Sequence, residues 1–253
     1  MKTAFYNCTI YTGRQKLINQ AILVDDDIVS DLVTESVIPA SYTKQDLGGM
    51  NIAPSFIDLQ IYGGNGKLFS HELSVESLQS THEYCLGGGA YYFMITMATN
   101  TIENFLRGIK VVRAYWNMGG KGLLGLHLEG PYINPVKKGA HVASCIKKPT
   151  IDEVKMLLDK GTGVIKMMTL APEMCDEAVI RCLLEKGILV SAGHSNATYM
   201  QASKAFKNGI PAATHLFNAM SAFQSREPGM VGAIYNDSKV VSRVVCDGVH
   251  VDF

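Results

Sequence analysis

The stretch Gly125-Leu-His-Leu-Glu129-Gly-Pro-Tyr-Ile-Asn134 decides the fold of this chain. An apolar segment rich in leucine, residues 122–128, ends in the carboxylate of Glu129, and Gly130-Pro131 then breaks the pattern. Strands of a parallel sheet are buried on both faces and have this nearly continuous apolar character. The stretch therefore predicts a buried parallel strand whose carboxyl end places Glu129 at the mouth of a barrel.

From residue 52 onward, apolar segments of strand length alternate with helical patterns. We predict strands over residues 56–61, 90–97, 122–129, 164–170, 188–194, 212–217 and 240–246. The clearest helices are predicted over residues 150–161, 176–186 and 198–207, each followed by or ending at a glycine. The alternation is typical of βα units, and the polar residues at the strand ends favour a (β/α)₈ TIM barrel over an open doubly wound sheet. The eighth strand is missing from this count.

The first 50 residues have a different pattern. Short apolar segments are separated by polar turns such as Asp25-Asp26-Asp27, which predicts a small antiparallel sheet. We therefore expect two domains, a small β-sandwich portion over residues 1–50 and a barrel over residues 51–253.

Composition narrows the function class. Hydrophobic residues make up 47% and charged residues 18% of the chain, and Lys plus Arg equal Asp plus Glu at 23 each. This balance provides no field that attracts nucleic acid or an anionic membrane, so neither is an expected partner. The N-terminus has no apolar stretch long enough for a signal peptide, and the six cysteines form no CxxC pair. A cytoplasmic enzyme with reduced thiols is the expectation.

Three polar residues close predicted strands: Glu129, His194 and His215. The carboxyl ends of parallel strands meet at one face of a barrel, so these side chains are expected to converge. One carboxylate and two neutral imidazoles suit a divalent transition metal that keeps a position open for water. A single histidine at a strand end is more simply explained as a polar residue whose hydrogen bonds are satisfied. One glutamate and two histidines at the same end of the barrel favour a metal site.

Seven motifs in order resemble the N-acetylglucosamine-6-phosphate deacetylase family, a sugar-phosphate branch of the amidohydrolase superfamily. They lie at residues 56–63, 125–134, 170–173, 193–198, 214–220, 226–229 and 247–252. The resemblance begins near residue 45, and the strands before it resemble the family's small β-sandwich. It implies an amidohydrolase-type barrel.

The resemblance also implies roles for single residues. Glu129, His194 and His215 would bind the catalytic metal, and His141 would polarise the acetamide carbonyl. The residues that would hold the sugar phosphate are Asn218, the backbone at Ala219, Arg226 and His250. In a homodimer, which the family implies, Arg226 would reach either its own site or that of the neighbouring subunit. The alternatives are a solvated loop charge for Arg226 and a loop-capping role for His141.

Two departures from the family pattern bear on the chemistry. Many amidohydrolases carry His-x-His at the end of the first barrel strand for a second metal, whereas this chain has Gln60 and Tyr62 there. We therefore expect one divalent ion, Zn²⁺ or Fe²⁺ first and Co²⁺ or Mn²⁺ as further candidates. The family's general acid/base is an aspartate at the end of the eighth strand, past Phe253, so no residue of this sequence receives that role.

The expected reaction is hydrolysis of the acetamide of N-acetyl-D-glucosamine 6-phosphate to D-glucosamine 6-phosphate and acetate. A second hypothesis is a non-catalytic truncated fragment or pseudoenzyme that binds metal or sugar phosphate without turnover. A weaker alternative is another amidohydrolase, such as a cyclic amidase or a deacetylase of a related amino sugar. The residues expected at the phosphate, Asn218, Arg226 and His250, argue against that alternative.

Overall fold

The computed structural model describes residues 1–252 and divides into two compact units. The first unit is Met1–Phe56, and the second begins at Ile57. None of the helices within the described residues combines the length and the apolarity that crossing a membrane requires.

The first unit contains two small mixed sheets. Its strands are β1 Lys2–Tyr6, β2 Thr9–Tyr11, β3 Lys16–Leu17, β4 Gln20–Asp25, β5 Ile28–Thr34, β6 Thr43–Asp46 and β7 Asn51–Ile52. One sheet has the order β5-β4-β1-β6 and the other β3-β2-β7. The pairs β1–β4, β2–β3 and β4–β5 are antiparallel, but β6 runs parallel to β1 and β7 parallel to β2. The prediction of an antiparallel sheet was therefore wrong for these two pairs, because turn signals report only pairing between neighbouring strands.

The second unit is built on a parallel sheet with helices between its strands. Its strands are β8 Phe56–Ile61, β9 Gly63–Gly64, β10 Lys67–Leu68, β11 Ala90–Ala98, β12 Leu123–Glu129, β13 Ile165–Leu170, β14 Leu189–Ala192, β15 Ala212–Ala213 and β16 Val241–Ser242. Its helices are α1 Val75–Gly87, α2 Ile102–Asn117, α3 Ile151–Lys160, α4 Glu177–Glu185, α5 Tyr199–Lys207 and α6 Gly229–Tyr235. Strands β9 and β10 form a separate two-stranded ribbon.

The main sheet has seven strands in the order β16-β15-β14-β13-β12-β11-β8. Every neighbouring pair from β11 to β16 is parallel. The strands thus follow one another around the sheet in chain order, as in a (β/α)₈ barrel, and seven of the eight strands lie within residues 1–252. The predicted fold class is confirmed.

Amphipathic helices cover the sheet because their apolar residues recur with helical spacing. In α2, the buried residues include Phe105, Ile109 and Val112, which share one face. Thr150 caps the start of helix α3, and its hydroxyl accepts from the backbone N–H of Glu153 over 3.3 Å. Full burial of an apolar side chain such as that of Ile109 or Val112 contributes about 1.5–3 kcal/mol to the stability of the folded chain. This packing holds the strand ends, and with them the side chains described below, in fixed positions.

Three predicted strands are shorter in the structure than in the sequence analysis. Strands β14, β15 and β16 end at Ala192, Ala213 and Ser242, whereas the predicted strands continue to residues 194, 217 and 246. His194 and His215 have φ angles of +47° and +57°, so the backbone is not extended at either histidine. Both histidines therefore lie in the loops after their strands and not within them.

Candidate active site

A buried carboxylate at the end of β12 is the centre of the site. Glu129 has no exposed surface, and three imidazoles surround its two oxygens. Its Oε1 lies 2.8 Å from Nε2 of His215 and 3.3 Å from Nε2 of His194, while Oε2 lies 3.5 Å from Nε2 of His141. The loops after β12, β14 and β15 thus bring together four of the residues that the sequence analysis assigned to the chemistry.

Two further side chains from β8 and the residue that follows it hold the same carboxylate. Nε2 of Gln60 donates to Oε1 of Glu129 over 2.7 Å, and the hydroxyl of Tyr62 donates to Oε2 over 2.5 Å. From the sequence, these two positions were expected only to lack metal ligands. Their spacing of two residues places both side chains on one face, but it does not identify Glu129 as the partner.

The environment favours the ionised form of Glu129. Burial by itself raises the pKa of this carboxyl, but the neighbouring imidazoles of His141, His194 and His215 outweigh burial and hold its pKa far below the usual range. Burial also raises the pKa of the Tyr62 hydroxyl above its ordinary value, which keeps that group protonated as a donor. The site therefore offers a permanent anion at its centre.

The hydrogen bonds of His194 establish which of its nitrogens can bind a cation. Its Nδ1 lies 3.0 Å from the carbonyl oxygen of Lys137, and because a carbonyl only accepts, Nδ1 carries the proton. Nε2 therefore presents a lone pair. This atom is buried, has no hydrogen-bond partner within residues 1–252, and faces Oε1 of Glu129. Two acceptors that face each other in a buried site fit a cation between them, and this donor set suits a divalent metal.

His141 has the opposite tautomer. The backbone N–H of Thr99 lies 3.2 Å from its Nδ1 and can only donate, so Nδ1 is unprotonated and Nε2 carries the hydrogen. Glu129, His141 and His194 each place one potential ligand atom within 4.8 Å of the others. A protonated Nε2 cannot bind a metal, however. His141 is therefore suited to donate a hydrogen bond into the site.

The loops that carry the two histidines hold non-glycine residues in the left-handed region. His194, His215, Phe217 and Ala219 have φ angles of +47°, +57°, +74° and +48°. Such conformations cost of order 1–3 kcal/mol each and persist where the surrounding structure imposes them, often at functional sites. One link that imposes them is a hydrogen bond of 3.0 Å from the N–H of Ser195 to the carbonyl oxygen of Ala219.

Two glycines permit the close packing around the site. A Cβ at Gly130, which has a φ of +87°, would lie 2.2 Å from Oγ1 of Thr99. A Cβ at Gly193 would lie 3.0 Å from side-chain carbons of both Thr169 and Thr214. Both glycines therefore allow a close approach of neighbouring side chains, and Gly130 also adopts a left-handed backbone that favours glycine.

A buried polar network lies one layer below the site and was not predicted from the sequence. His127 contacts Oγ1 of Thr96 at 3.1 Å and Oγ1 of Thr169 at 2.8 Å, and Thr214 contacts Thr169 at 3.1 Å and Ser191 at 2.7 Å. Burial lowers the pKa of His127 to about 3, so its imidazole is neutral and acts as a bridge between strands. The network ties together the strands that end at the site.

The residues expected at the phosphate lie in the later loops. Nδ2 of Asn218 donates to the carbonyl oxygen of His250 over 2.9 Å, and Nδ1 of His250 lies 2.7 Å from Oδ2 of Asp247. Ala219 follows Asn218 in the chain. Arg226 is exposed and has no hydrogen bond or ion pair with any other residue in the described part of the chain. The structure thus brings Asn218 and His250 together but does not join Arg226 to them.

Comparison with known proteins identifies the family. The family model described as the amidohydrolase family matches residues 51–252, and the model described as the NagA composite domain matches residues 4–52. An N-acetylglucosamine-6-phosphate deacetylase of Haemophilus influenzae is 39% identical over the whole chain, which covers 66% of that relative. An N-acetylgalactosamine-6-phosphate deacetylase of a Shewanella species is 34% identical over 91% of the chain and 59% of the relative.

Solved structures give the same result. The N-acetylglucosamine-6-phosphate deacetylase of Pasteurella multocida superposes with a TM-score of 0.93 at 37% identity, over all of this chain and 66% of that one. A variant of the Mycobacterium smegmatis enzyme in complex with N-acetyl-D-glucosamine-6-phosphate superposes with a TM-score of 0.89 at 30% identity, over 99% of this chain and 65% of that one. The chain thus spans just under two thirds of the length of these relatives.

Proposed function

This chain belongs to the amidohydrolase family, and we propose that its site hydrolyses the acetamide of N-acetyl-D-glucosamine 6-phosphate to D-glucosamine 6-phosphate and acetate. The observation that carries the proposal is the buried carboxylate of Glu129 among three imidazoles, with Nε2 of His194 left without a hydrogen-bond partner within residues 1–252. The names of the relatives support the choice of substrate.

Glu129, His194 and His215 are the proposed ligands of one divalent metal. Zn²⁺ and Fe²⁺ fit a set of one carboxylate and two imidazoles best, and Co²⁺ or Mn²⁺ is also compatible. A second metal is not proposed, because Gln60 and Tyr62 donate hydrogen bonds to Glu129 at the position where other amidohydrolases have histidines. When bound, such an ion supplies Lewis acidity and lowers the pKa of water toward neutrality.

His141 is the proposed donor to the reacting carbonyl. Its Nε2–H is aimed into the site by the Thr99 contact at Nδ1, and a donor in that position stabilises the negative charge that develops on the acetamide oxygen. We assign no general base among residues 1–252. Asp247 does not take that role, because its carboxylate accepts from Nδ1 of His250 and from the backbone N–H groups of Val249 and His250.

The sugar phosphate is proposed to bind at Asn218, the backbone of Ala219, Arg226 and His250. Arginine suits this task because its planar guanidinium makes two charge-assisted hydrogen bonds to a phosphate at once. Arg226 extends from an exposed loop, which is compatible with reaching the phosphate in its own subunit or in the second subunit of a proposed homodimer. Apart from a second subunit, the proposed binding partner is the small sugar-phosphate substrate. We propose that the protein acts in the cytoplasm.

A related substrate is the second candidate. The Shewanella relative is named as an N-acetylgalactosamine-6-phosphate deacetylase, and this sugar differs from the first only in the configuration of one hydroxyl group. The metal ligands and the phosphate residues proposed above serve both sugars equally well. The discrimination therefore depends on the contacts of the sugar ring.

The test uses the purified 253-residue chain. Metal content is measured by elemental analysis, and acetate release is measured on the same sample with each of the two phosphorylated sugars. About one metal per chain with turnover of either sugar supports the proposal and identifies the substrate. One metal without turnover supports the metal site and contradicts catalysis by this chain, which leaves a binding fragment. Absence of metal from the folded chain overturns the site itself.

A further inference from the structure

Glu173 lies outside the cluster of imidazoles and connects two of the loops that carry those imidazoles. Glu173 follows β13 in the motif Leu170-Ala-Pro-Glu173, and the proposed chemistry gives it no role. Its Oε1 accepts from Nδ2 of Asn134 over 2.9 Å and from the backbone N–H of Asn196 over 2.6 Å. Its Oε2 accepts from the hydroxyl of Ser195 over 2.6 Å. One carboxylate thus joins the loop after β12 to the loop after β14.

The partners of Glu173 flank His194 on both sides. Ser195 and Asn196 follow His194 directly in the chain, and the backbone N–H of Asn134 donates to the carbonyl oxygen of His194 over 2.8 Å. The two loops therefore hold the backbone of His194 between them. This residue has a φ of +47°, which a non-glycine residue adopts only where its neighbours impose it.

Asn134 also positions the imidazole of His194. Its Oδ1 accepts from the backbone N–H of Val136 over 3.0 Å and thereby starts the short helical turn Pro135–Lys137. The carbonyl oxygen of Lys137 ends this turn and lies 3.0 Å from Nδ1 of His194. Because Glu173 holds the amide end of the same Asn134 side chain, it fixes the turn that sets the tautomer of His194.

The three donors match an ionised carboxylate. The hydroxyl of Ser195, the amide of Asn134 and the N–H of Asn196 all donate to Glu173, and a carboxylate can accept all three. A glutamine at this position has only one acceptor oxygen, and its NH₂ group would face donors. Partners that orient a metal-ligating histidine typically change metal affinity or activity 10- to 100-fold when they are lost.

We propose that Glu173 is a positioning residue for the metal site, which acts by holding the Asn134 and Ser195 loops around His194 so that Nε2 points at Glu129. The inference rests on the proposed metal site. It assigns no contact with substrate to Glu173. A role limited to general stability would lower the unfolding temperature without changing the affinity for metal, so the two roles can be separated.

The experiment compares Glu173→Gln with Glu177→Gln in the metal-free 253-residue chain. Glu177 lies on α4 near Glu173 and forms an exposed ion pair with Lys204 at 2.5 Å, so it controls for the loss of one negative charge in this region. The dissociation constant for Zn²⁺ is measured by competition with a chromophoric chelator, and unfolding temperatures are measured without metal. We expect the constant to rise roughly 10- to 100-fold in Glu173→Gln and to stay unchanged in Glu177→Gln.

Equal Zn²⁺ affinity in Glu173→Gln and the native chain overturns the inference, whatever happens to the unfolding temperature. If Glu173→Gln precipitates, Ser195→Ala removes one of the three hydrogen bonds and leaves the carboxylate in place. A rise of a few-fold in the constant for Ser195→Ala then supports the inference, and no change overturns it. Failure of the folded native chain to bind Zn²⁺ at all contradicts the proposed metal site and is thereby distinguished from failure of the Glu173 inference.

Discussion

The backbone N–H of Thr99 lies 3.2 Å from Nδ1 of His141, and this contact separates His141 from the other histidines of the site. Because the amide only donates, Nε2 of His141 carries its hydrogen toward Glu129, whereas Nε2 of His194 presents a lone pair. The same side chain type therefore has two chemical roles within one cluster. The difference is set by the backbone group that each imidazole contacts at Nδ1.

The first prediction follows from this difference. His194→Asn is expected to lose most of its bound metal, because it removes a ligand, whereas His141→Asn is expected to keep about one metal per chain. In an active preparation, His141→Asn should lower kcat about 10²- to 10³-fold, the usual effect of losing one donor to a developing oxyanion. Elemental analysis of both variants checks the assignment. Loss of metal from His141→Asn would show that His141 is a ligand.

The second prediction concerns Gly130. In Gly130→Ala, the new methyl group meets Oγ1 of Thr99 at 2.2 Å, and Thr99 also holds His141. Gly187→Ala is the matched control, because Gly187 has a φ of +73° but no atom within 4 Å of a Cβ. Left-handed strain alone costs about 1–2 kcal/mol, and the added overlap in Gly130→Ala should cost a further ~1–3 kcal/mol. Urea unfolding of the two variants measures the difference, and equal stabilities would contradict the steric explanation.

The third prediction tests the phosphate assignment. Arg226→Ala should raise KM for the phosphorylated sugar about tenfold or more, since a hydrogen bond to a charged group contributes about 1.5–3 kcal/mol. Arg181→Ala removes an exposed arginine on α4 and should leave KM unchanged. Steady-state kinetics with native and variant chains gives the comparison. An unchanged KM in Arg226→Ala would mean that this arginine is a solvated loop charge.

The fourth prediction concerns thiol reactivity. Burial, together with the charge of Asp58, raises the pKa of Cys85 to about 11, so at pH 8 only about one in a thousand of these thiols is ionised. Because the thiolate is the nucleophile, Cys85 should resist alkylation at pH 8 and begin to react only as the pH approaches its raised pKa. Cys246 is exposed and should react at pH 8. Iodoacetamide labelling followed by peptide mass spectrometry distinguishes the two, and rapid labelling of Cys85 in the folded chain would contradict the prediction.

The barrel could be predicted from the sequence because the residue patterns that specify its strands and helices are local. The apolar segment before Glu129 and the amphipathic spacing of α2 and α3 each reflect burial of a nearby face, so β12 and these helices follow from periodicity alone. The ends of β14, β15 and β16 could not be read in this way. The backbone leaves the extended conformation at His194 and His215, whose φ angles are positive, and apolar residues such as Leu216 and Val244 still follow the ends of β15 and β16.

The convergence of Glu129, His194 and His215 was also anticipated, because carboxyl ends of parallel strands meet at one face of a barrel. The sequence by itself therefore determined the fold class and which side chains gather at the strand ends. Tertiary structure alone decided what each of them can do there. Contacts from Thr99 and Lys137 set the tautomers of His141 and His194, Gln60 and Tyr62 hold Glu129, and Glu173 joins the surrounding loops. These contacts link residues far apart in the chain, and a hydrogen bond depends on the positions of its two atoms, which no local pattern of residues encodes.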